Sequence, residues 1–369
     1  MTAVTTSERV RASVFLSPGQ PLVLQRFPRP RLSQGEVLVR VDCCTLCGSD
    51  LHTYLGRRHG PAPSILGHEA LGQIVELGPG RPPRDSGGCD LTIGDRVSWS
   101  VMASCGDCFF CRHELPQKCQ RLFKYGHETS TGAHPLSGGL AEYCHLARGT
   151  TIVGVPPELP DTVAASANCA TATVAAAHRA ADGCHGKTVL IQGAGLLGLS
   201  AAAMASTDGA EQVIVADIEN NRLETARRFG ATIVVNVAEN PHSLAVTVRQ
   251  ATDGRGVDVA LEMSGAPDAM RQGIESLRTG GRYVLVGAVR PIGSVPLDVE
   301  QVVRRMWTIQ GIHNYAPVDL VTAIDFLATT HRRFPFGELI AAEFPLDKAD
   351  DAFQAMHQTK AIRIAVRPQ

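Results

Sequence analysis

Cys105, Cys108, Cys111 and Cys119 stand at C-x2-C-x2-C-x7-C spacing. Four thiolates in one short segment can close a tetrahedral zinc site with no coordination position left open, so such a site is structural. Two other readings compete with it. An iron–sulfur cluster would favour C-x2-C-x2-C-x3-C-P, but here the last gap is longer and no proline follows Cys119. Buried free cysteines rarely fall at such spacing. A second set is dispersed. Cys47-Gly48-Ser49-Asp50-Leu51-His52 offers a thiolate, a hydroxyl, a carboxylate and an imidazole; Gly67-His68-Glu69 follows, and Cys169 lies far downstream in Asn168-Cys169-Ala170-Thr171. Taken singly, each of these is an ordinary core or capping feature. A third feature is Gly193-Ala194-Gly195-Leu196-Leu197-Gly198, a G-x-G-x-x-G run followed by Asp217. Its glycines permit a tight turn and bring a pyrophosphate to a helix N-terminus.

These groups need elements to hold them. The first part of the chain reads as short strands between turns, among them Val37 to Val41 and Gly72 to Leu77, with a Gly- and Pro-rich loop from Gly78 to Gly94. From Asp161 to Ala181 the chain is rich in Ala, Thr and Val without Gly or Pro, the pattern of one packed helix. Strands then alternate with helices. Thr188 to Gln192 precedes the glycine run, Leu196 to Ser206 is a helix, and Gln212 to Ala216 leads into Asp217. Asn221 to Phe229 is the next helix, and Thr232 to Asn236, Val257 to Glu262 and Arg282 to Val286 are further strands. Alternation of this kind implies a parallel sheet covered on both faces. It stops near Gly311, after which a helix near Val318 to Thr329 and a strand at Ala361 to Val366 follow.

Composition narrows the class. The chain has 369 residues and a net charge of −1, which excludes a strongly basic nucleic-acid surface or membrane anchor. Met1 to Val10 has no apolar core of the signal-peptide kind, and no window is apolar for long enough to span a bilayer. The expectation is a cytoplasmic protein in a reducing compartment. There, 11 cysteines point to metal or catalysis rather than to disulfides.

In this order, C-G-x-D-x-H, G-H-E, the four-cysteine lobe, a lone Cys and the dinucleotide fingerprint, the chain resembles the zinc-dependent medium-chain dehydrogenase/reductase family, the alcohol dehydrogenases. The resemblance covers nearly the whole chain. It implies an α/β protein in which a Rossmann doubly wound parallel sheet (166–312) is joined to a mostly β GroES-like catalytic domain (1–165 and 313–369) with a zinc lobe at 103–120. It implies two zinc ions per chain. One is structural on the four cysteines. The other is catalytic on Cys47, His68 and Cys169, with Glu69 behind it and able to exchange into its coordination. Asp50 would accept from the far nitrogen of His68. Ser49 would relay a proton from the metal-bound oxygen, and His52 would pass it to solvent. Cys43 and Cys44 would pack in a strand, and with Cys89, Cys144 and Cys184 remain plain thiols.

At the nucleotide, Gly193, Gly195, Leu196, Leu197 and Gly198 would approach the pyrophosphate. Asp217 would hold the adenosine ribose and repel a 2′-phosphate, favouring NAD over NADP, although Arg222 beside it would tolerate phosphate if rearranged. Gly287, Ala288 and Val289 would flank the nicotinamide, and Arg363 is either a pyrophosphate ligand or a solvated tail charge. The implied activity is an NAD-dependent alcohol dehydrogenase (EC 1.1.1.-) that forms a homodimer or homotetramer, with no nucleic-acid or membrane partner. A polyol or sugar-alcohol dehydrogenase is the nearest alternative, and a non-catalytic zinc-binding structural protein is the rival from another class. The expected substrate is a small alcohol. Leu55, Trp99 and Val101 would wall the pocket. The basic Arg57-Arg58-His59 triplet would favour an anionic substrate, and Glu114 to Cys119, Tyr125 to Glu128 and Asn168 to Thr173 resemble a subgroup associated with phosphonate catabolism.

Overall fold

The computed structural model describes residues 9–240, 242–289 and 291–369, so most of the Met1–Val10 stretch lies outside the described residues. The chain divides into two compact units. One runs to Cys169 and resumes over Ala316–His331 and Phe336–Gln369; the other is Ala170–Tyr315 with Arg332–Pro335.

The first unit is mostly β. A sheet carries, in spatial order, Ile340–Pro345, Arg363–Arg367, Val37–Thr45, Glu69–Leu77, Arg96–Ala103 and Phe123–Lys124. Tyr143–Leu146 and Thr150–Gly154 pair off this path. A smaller antiparallel sheet holds Val23–Pro28, Arg9–Phe15 and Ser64–Ile65. The strand Val37–Thr45 is covered along nearly all its length, because it lies in mid-sheet with the core cluster around it. Val39, Val41, Trp99, Leu140 and Phe353 belong to that cluster, and each large side chain so buried contributes about 1.5–3 kcal/mol. Cys43 and Cys44 are buried in this strand. Burial pushes the Cys43 thiol up to about 12, so it stays a protonated packing group.

The second unit is a parallel sheet of six strands. Its order is Ile233–Asn236, Gln212–Asp217, Thr188–Gln192, Val257–Glu262, Leu277–Leu285 and Thr308–Gly311. The chain order of these strands reverses between Thr188–Gln192 and Val257–Glu262, the point where such sheets bind ligands beyond their carboxyl ends. Thr188–Gln192 is buried at every position, as a central parallel strand must be. Among the described residues, no helix is long and apolar enough to cross a membrane.

Two expectations are corrected. Asp161 to Ala181 is not one helix. It breaks into Asp161–Ala164, a π-helical turn at Ala167–Thr171 and the helix Ala172–Ala180. The wide turn falls where the Asn168 amide reaches out to donate to the Trp99 carbonyl at 2.8 Å, and such turns re-aim single side chains, here Cys169. The second correction concerns the borders. Cys169 closes the first unit instead of lying in the second, and Arg332–Pro335 belongs to the second unit, where Phe334 stacks on Phe229.

Candidate active site

The helix Gly48–Tyr54 starts at Cys47, whose extended backbone puts it in the N-cap position. Asp50, at the third helical position, accepts the Cys47 N–H on Oδ2 at 3.0 Å. Its other oxygen, Oδ1, takes the Gly67 N–H at 3.3 Å and lies 3.0 Å from His68 Nδ1. One wholly buried carboxylate thus joins the helix start to the loop bearing His68. It fixes the ring with Nε2 turned away from it, the arrangement a metal-ligating histidine needs. Gly67 has φ +85°, and a Cβ there would come within 2.6 Å of Cys44 Sγ. Glycine is what lets the chain turn into His68.

The ligand atoms of Cys47, His68, Glu69 and Cys169 all lie within 4.8 Å of one another. Ser49 Oγ sits 3.4 Å from His68 Nε2, and His52 lies one helical turn beyond Ser49. Glu69 is wholly buried. It accepts from Thr45 Oγ1 at 2.7 Å and from Arg363 through a two-pronged contact, Nε to Oε2 at 2.8 Å and Nη2 to Oε1 at 2.7 Å. Arg363 Nη2 also approaches Cys47 Sγ at 3.6 Å. Arg363 is 7% exposed, so it is not a solvated tail charge. It lies on Arg363–Arg367, beside the strand that leads to Cys47.

The electrostatics follow from this crowding. The Cys169 thiol donates to Cys47 and, against the penalty of burial, holds Cys47 well below the usual thiol range with help from Arg363. The same bond, together with burial, pushes Cys169 well above it. Burial raises the Glu69 carboxyl to about 7, with Arg363 opposing. Burial pulls His68 down, but Asp50 outweighs it and leaves the imidazole at about 10. The donor set of two sulfurs and one imidazole suits zinc and leaves a coordination position free. An ion must displace protons from Cys169 and His68. Affinity is therefore expected to fall as pH falls, and zinc retained on dialysis at pH 5 should be well below that at pH 8. Equal retention at both would count against the ligand assignment.

In the four-cysteine lobe, Sγ–Sγ separations are 3.4 Å for Cys105–Cys119, 3.5 Å for Cys108–Cys111 and 3.9 Å for Cys108–Cys119. The Cys105 and Arg121 N–H groups both donate to Cys119 Sγ at 3.3 Å. The short helix Phe109–Arg112 buries none of its residues, so the thiol cluster must do what a core does elsewhere.

In the nucleotide unit, Gly193 has φ +100°, and a Cβ on Gly198 would stand 1.7 Å from the Gly193 carbonyl oxygen. The helix Leu196–Asp208 starts at Gly195, above which a Cβ would meet nothing within 4 Å; the backbone is open to a ligand there. Asp217 ends its strand mostly buried and accepts the N–H groups of Ala194 at 2.6 Å, Ile218 at 2.7 Å and Glu219 at 2.9 Å. Arg222 is half-buried on the following helix, and Gly287, Ala288 and Val289 follow the strand Leu277–Leu285. These glycines, the helix start and the acidic strand end fit a dinucleotide.

The residues expected to wall the pocket are buried or lie beside the first helix. Trp99 and Val101 are 2% and 1% exposed, and Trp99 belongs to the apolar core, because Arg96–Ala103 is covered on both faces. Leu55 is half-buried at the end of its helix, Arg58 is half-buried, and Arg57 and His59 are exposed. Sequence reasoning missed the link from Arg363 to Glu69. It did not point to Lys124, and it singled out His127 only within the Tyr125–Glu128 run; the His127 ring lies 5.2 Å from that of His68.

Glu36, His134 and His145 also converge, each histidine placing Nε2 within 3.0 Å of the carboxylate. Nδ1 of His145 is buried without a hydrogen-bond partner. Freeing Nε2 for a metal would strand a proton there, at a cost of about 1–3 kcal/mol. The trio ties the residue before Val37–Thr45 and a loop histidine to the strand Tyr143–Leu146.

Comparison with known proteins matches these two units. Residues 33–157 fit the family described as alcohol dehydrogenase GroES-like domain, and residues 197–329 fit zinc-binding dehydrogenase. The L-threonine 3-dehydrogenase of Pyrococcus horikoshii is 33% identical over 83% of both chains. The 5-exo-hydroxycamphor dehydrogenase of Pseudomonas putida is 31% identical over 87% of this chain and 88% of its own. An alcohol dehydrogenase structure from Thermotoga maritima superposes with a TM-score of 0.91 at 32% identity, over 98% of this chain and all of that one.

Proposed function

Because the chain belongs to the zinc-binding medium-chain alcohol dehydrogenase family, we propose that it is an NAD-linked dehydrogenase of a small anionic alcohol. It is a zinc-dependent, NAD(P)-linked oxidoreductase acting on CH–OH groups, EC 1.1.1.-. The non-catalytic alternative falls with that. The observation that carries the proposal is the convergence of Cys47, His68 and Cys169 around a histidine already oriented by Asp50.

Cys47, His68 and Cys169 would hold the catalytic zinc, with Glu69 behind it, and the four lobe cysteines would hold the structural one. When bound, the catalytic ion supplies a Lewis acid for an alcohol or carbonyl oxygen. Asp50 keeps His68 in the ligating tautomer. Ser49, beside His68, takes the substrate hydroxyl proton, and His52 carries it outward, since imidazole exchanges protons near neutral pH. Gly287, Ala288 and Val289 would flank the nicotinamide, which when bound would supply the hydride acceptor for the alcohol carbon. Asp217 favours NAD, because a 2′-phosphate would meet its buried carboxylate. Cys169, where many polyol dehydrogenases carry Glu, favours a simple alcohol over a polyol.

The anionic substrate rests on local charge. Burial and then Arg58 pull the Lys124 ammonium below its usual range. Burial, His68, Lys124 and Arg58 together hold His127 far down. Lys124, with Arg58 near it, thus lies close to the thiols of Cys47 and Cys169. The relatives named above carry threonine and hydroxycamphor in their names, so we retain the anion and not the phosphonate. Arg58→Ala with Arg57→Ala is expected to lower kcat/KM about 10–100-fold on anionic alcohols, the loss of one or two charge-assisted hydrogen bonds, and to leave neutral ones unchanged. Equal effects on both would remove the anion. An NADH-absorbance screen of anionic and neutral alcohols with NAD and NADP tests the whole reading; preference for NADP or for neutral alcohols would sink it.

The assembly is proposed to be a homodimer through Thr308–Gly311. Among the described residues that strand is the edge of its sheet, paired on one side only, with Val299, Val303 and Met306 exposed just before it at 65%, 71% and 74%. Such an edge with an apolar patch is normally covered. Val303→Glu should shift the mass measured by light scattering from dimer to monomer; an unchanged mass would place the interface elsewhere.

A further inference from the structure

Glu262 ends the strand Val257–Glu262 and is wholly buried. Its Oε1 accepts from the Ser264 N–H at 2.7 Å, the Ser264 hydroxyl at 2.7 Å and the Gly265 N–H at 2.6 Å. Its Oε2 accepts from the Gly287 N–H at 3.2 Å. The Glu262 carbonyl also takes the Val286 and Gly287 N–H groups, each at 3.0 Å. One side chain therefore ties the ends of two neighbouring parallel strands.

These ends meet backbone to backbone. A Cβ on Gly287 would come within 2.3 Å of the Gly265 nitrogen, and one on Gly265 within 2.6 Å of the Gly287 oxygen. A Cβ on Gly193 would press on Ser264 at 3.1 Å. With glycine at 265 and 287, where the two segments touch, part of their shape is set by the Ser264, Gly265 and Gly287 N–H groups bonded to the Glu262 carboxylate. Among the described residues, no Lys, Arg or His pairs with Glu262. Its charge is satisfied by dipoles but not cancelled, and in a buried setting such a charge acts over a longer range than it would in water.

We propose that Glu262 is a positioning residue that holds the 264–265 and 287–289 segments as one cradle, and that its uncancelled charge makes the cradle favour the cationic nicotinamide of the oxidised cofactor over the neutral ring of the reduced one. This rests on the reading that Gly287–Val289 flank the nicotinamide. Glu262 acts through Gly287 and its neighbours, not by touching the ring. Hydride transfer from the alcohol cancels the positive charge on the ring, so this preference would help the reduced cofactor leave.

The test compares dissociation constants for NAD and NADH, measured by calorimetry on the zinc-loaded enzyme, in wild type, Glu262→Gln and Glu262→Asp. Glu262→Gln removes the charge and keeps an acceptor for the three donors at Oε1, but its amide nitrogen cannot accept from Gly287, so that one bond is lost with the charge. It is expected to weaken NAD about tenfold more than NADH, the scale of one unit charge acting through protein. Glu262→Asp keeps the charge with a shorter reach. It is expected to weaken both cofactors while leaving their ratio within about twofold of wild type. Equal weakening of both cofactors by Glu262→Gln would leave a purely structural role and overturn the proposal. If Glu262→Gln does not fold, Glu262→Asp and Ser264→Ala carry the test: both loosen the cradle with the charge kept, and a ratio moved by either overturns the charge assignment. Failure of the underlying reading looks different: if Gly287–Val289 do not flank the nicotinamide, neither Glu262→Gln nor Glu262→Asp would change the binding of either cofactor.

Discussion

Cys47→Ser is expected to lose at least about 10³-fold in kcat, because several kcal/mol of Lewis-acid stabilisation convert at one decade per 1.4 kcal/mol. The zinc content should fall from two ions per chain to one. Serine keeps the shape of the site but is a poor zinc ligand at neutral pH, whereas Cys47 already lies well below the ordinary thiol range. The four-cysteine lobe shares no ligand with this cluster, so the remaining ion should resist the chelator concentrations that strip the first from wild type. Zinc analysis beside NADH-monitored turnover checks both halves. Two retained ions with lost turnover would move the catalytic metal elsewhere. One retained ion with full turnover would deny the metal its role.

The second large effect concerns stability. Glu69 and Arg363 form a buried pair with side chains 0% and 8% exposed. Removing one partner from such a pair costs about 3–5 kcal/mol, because the other is left buried and unpaired. Arg363→Met is therefore expected to lower Tm by roughly 6–20 °C, at about 2–4 °C per kcal/mol for a unit of this size. Glu69→Gln with Arg363→Met should recover most of that loss, since no charge is left stranded, and a double-mutant cycle reads the coupling.

The pH dependence has a definite sign. Burial already raises Glu69 to about 7, above its unfolded value, so the folded state binds the proton more tightly. Stability from this group is complete below the unfolded value of about 4.5 and is lost as pH rises through the folded one. Without Arg363 the folded value climbs further, so the variant should be hurt more at pH 8 than at pH 5. A Tm deficit independent of pH would show that Arg363 matters for packing and not for charge.

Much of this protein is written locally in its sequence. The four lobe cysteines fall within one short segment, where chain geometry alone brings them together, and a G-x-G-x-x-G between a strand and a helix has essentially one shape. The alternation of strands and helices also implied the parallel sheet, because only buried strands can be apolar along their whole length. The coordination chemistry of Cys47, His68 and Cys169 was legible only through resemblance, since no spacing rule joins them.

Tertiary structure decided the rest. Asp50 joins two segments 18 residues apart, and Arg363 reaches Glu69 across 294; sequence distance is no guide to pairing once the chain has closed its loops. A run that reads as one helix breaks at Ala167–Thr171 because Asn168 finds a carbonyl on a distant strand. Trp99 is buried because its strand is covered on both faces. Residue types and short-range spacing determined which chemistry is available, while long-range packing determined which side chains support it and which charges are buried together.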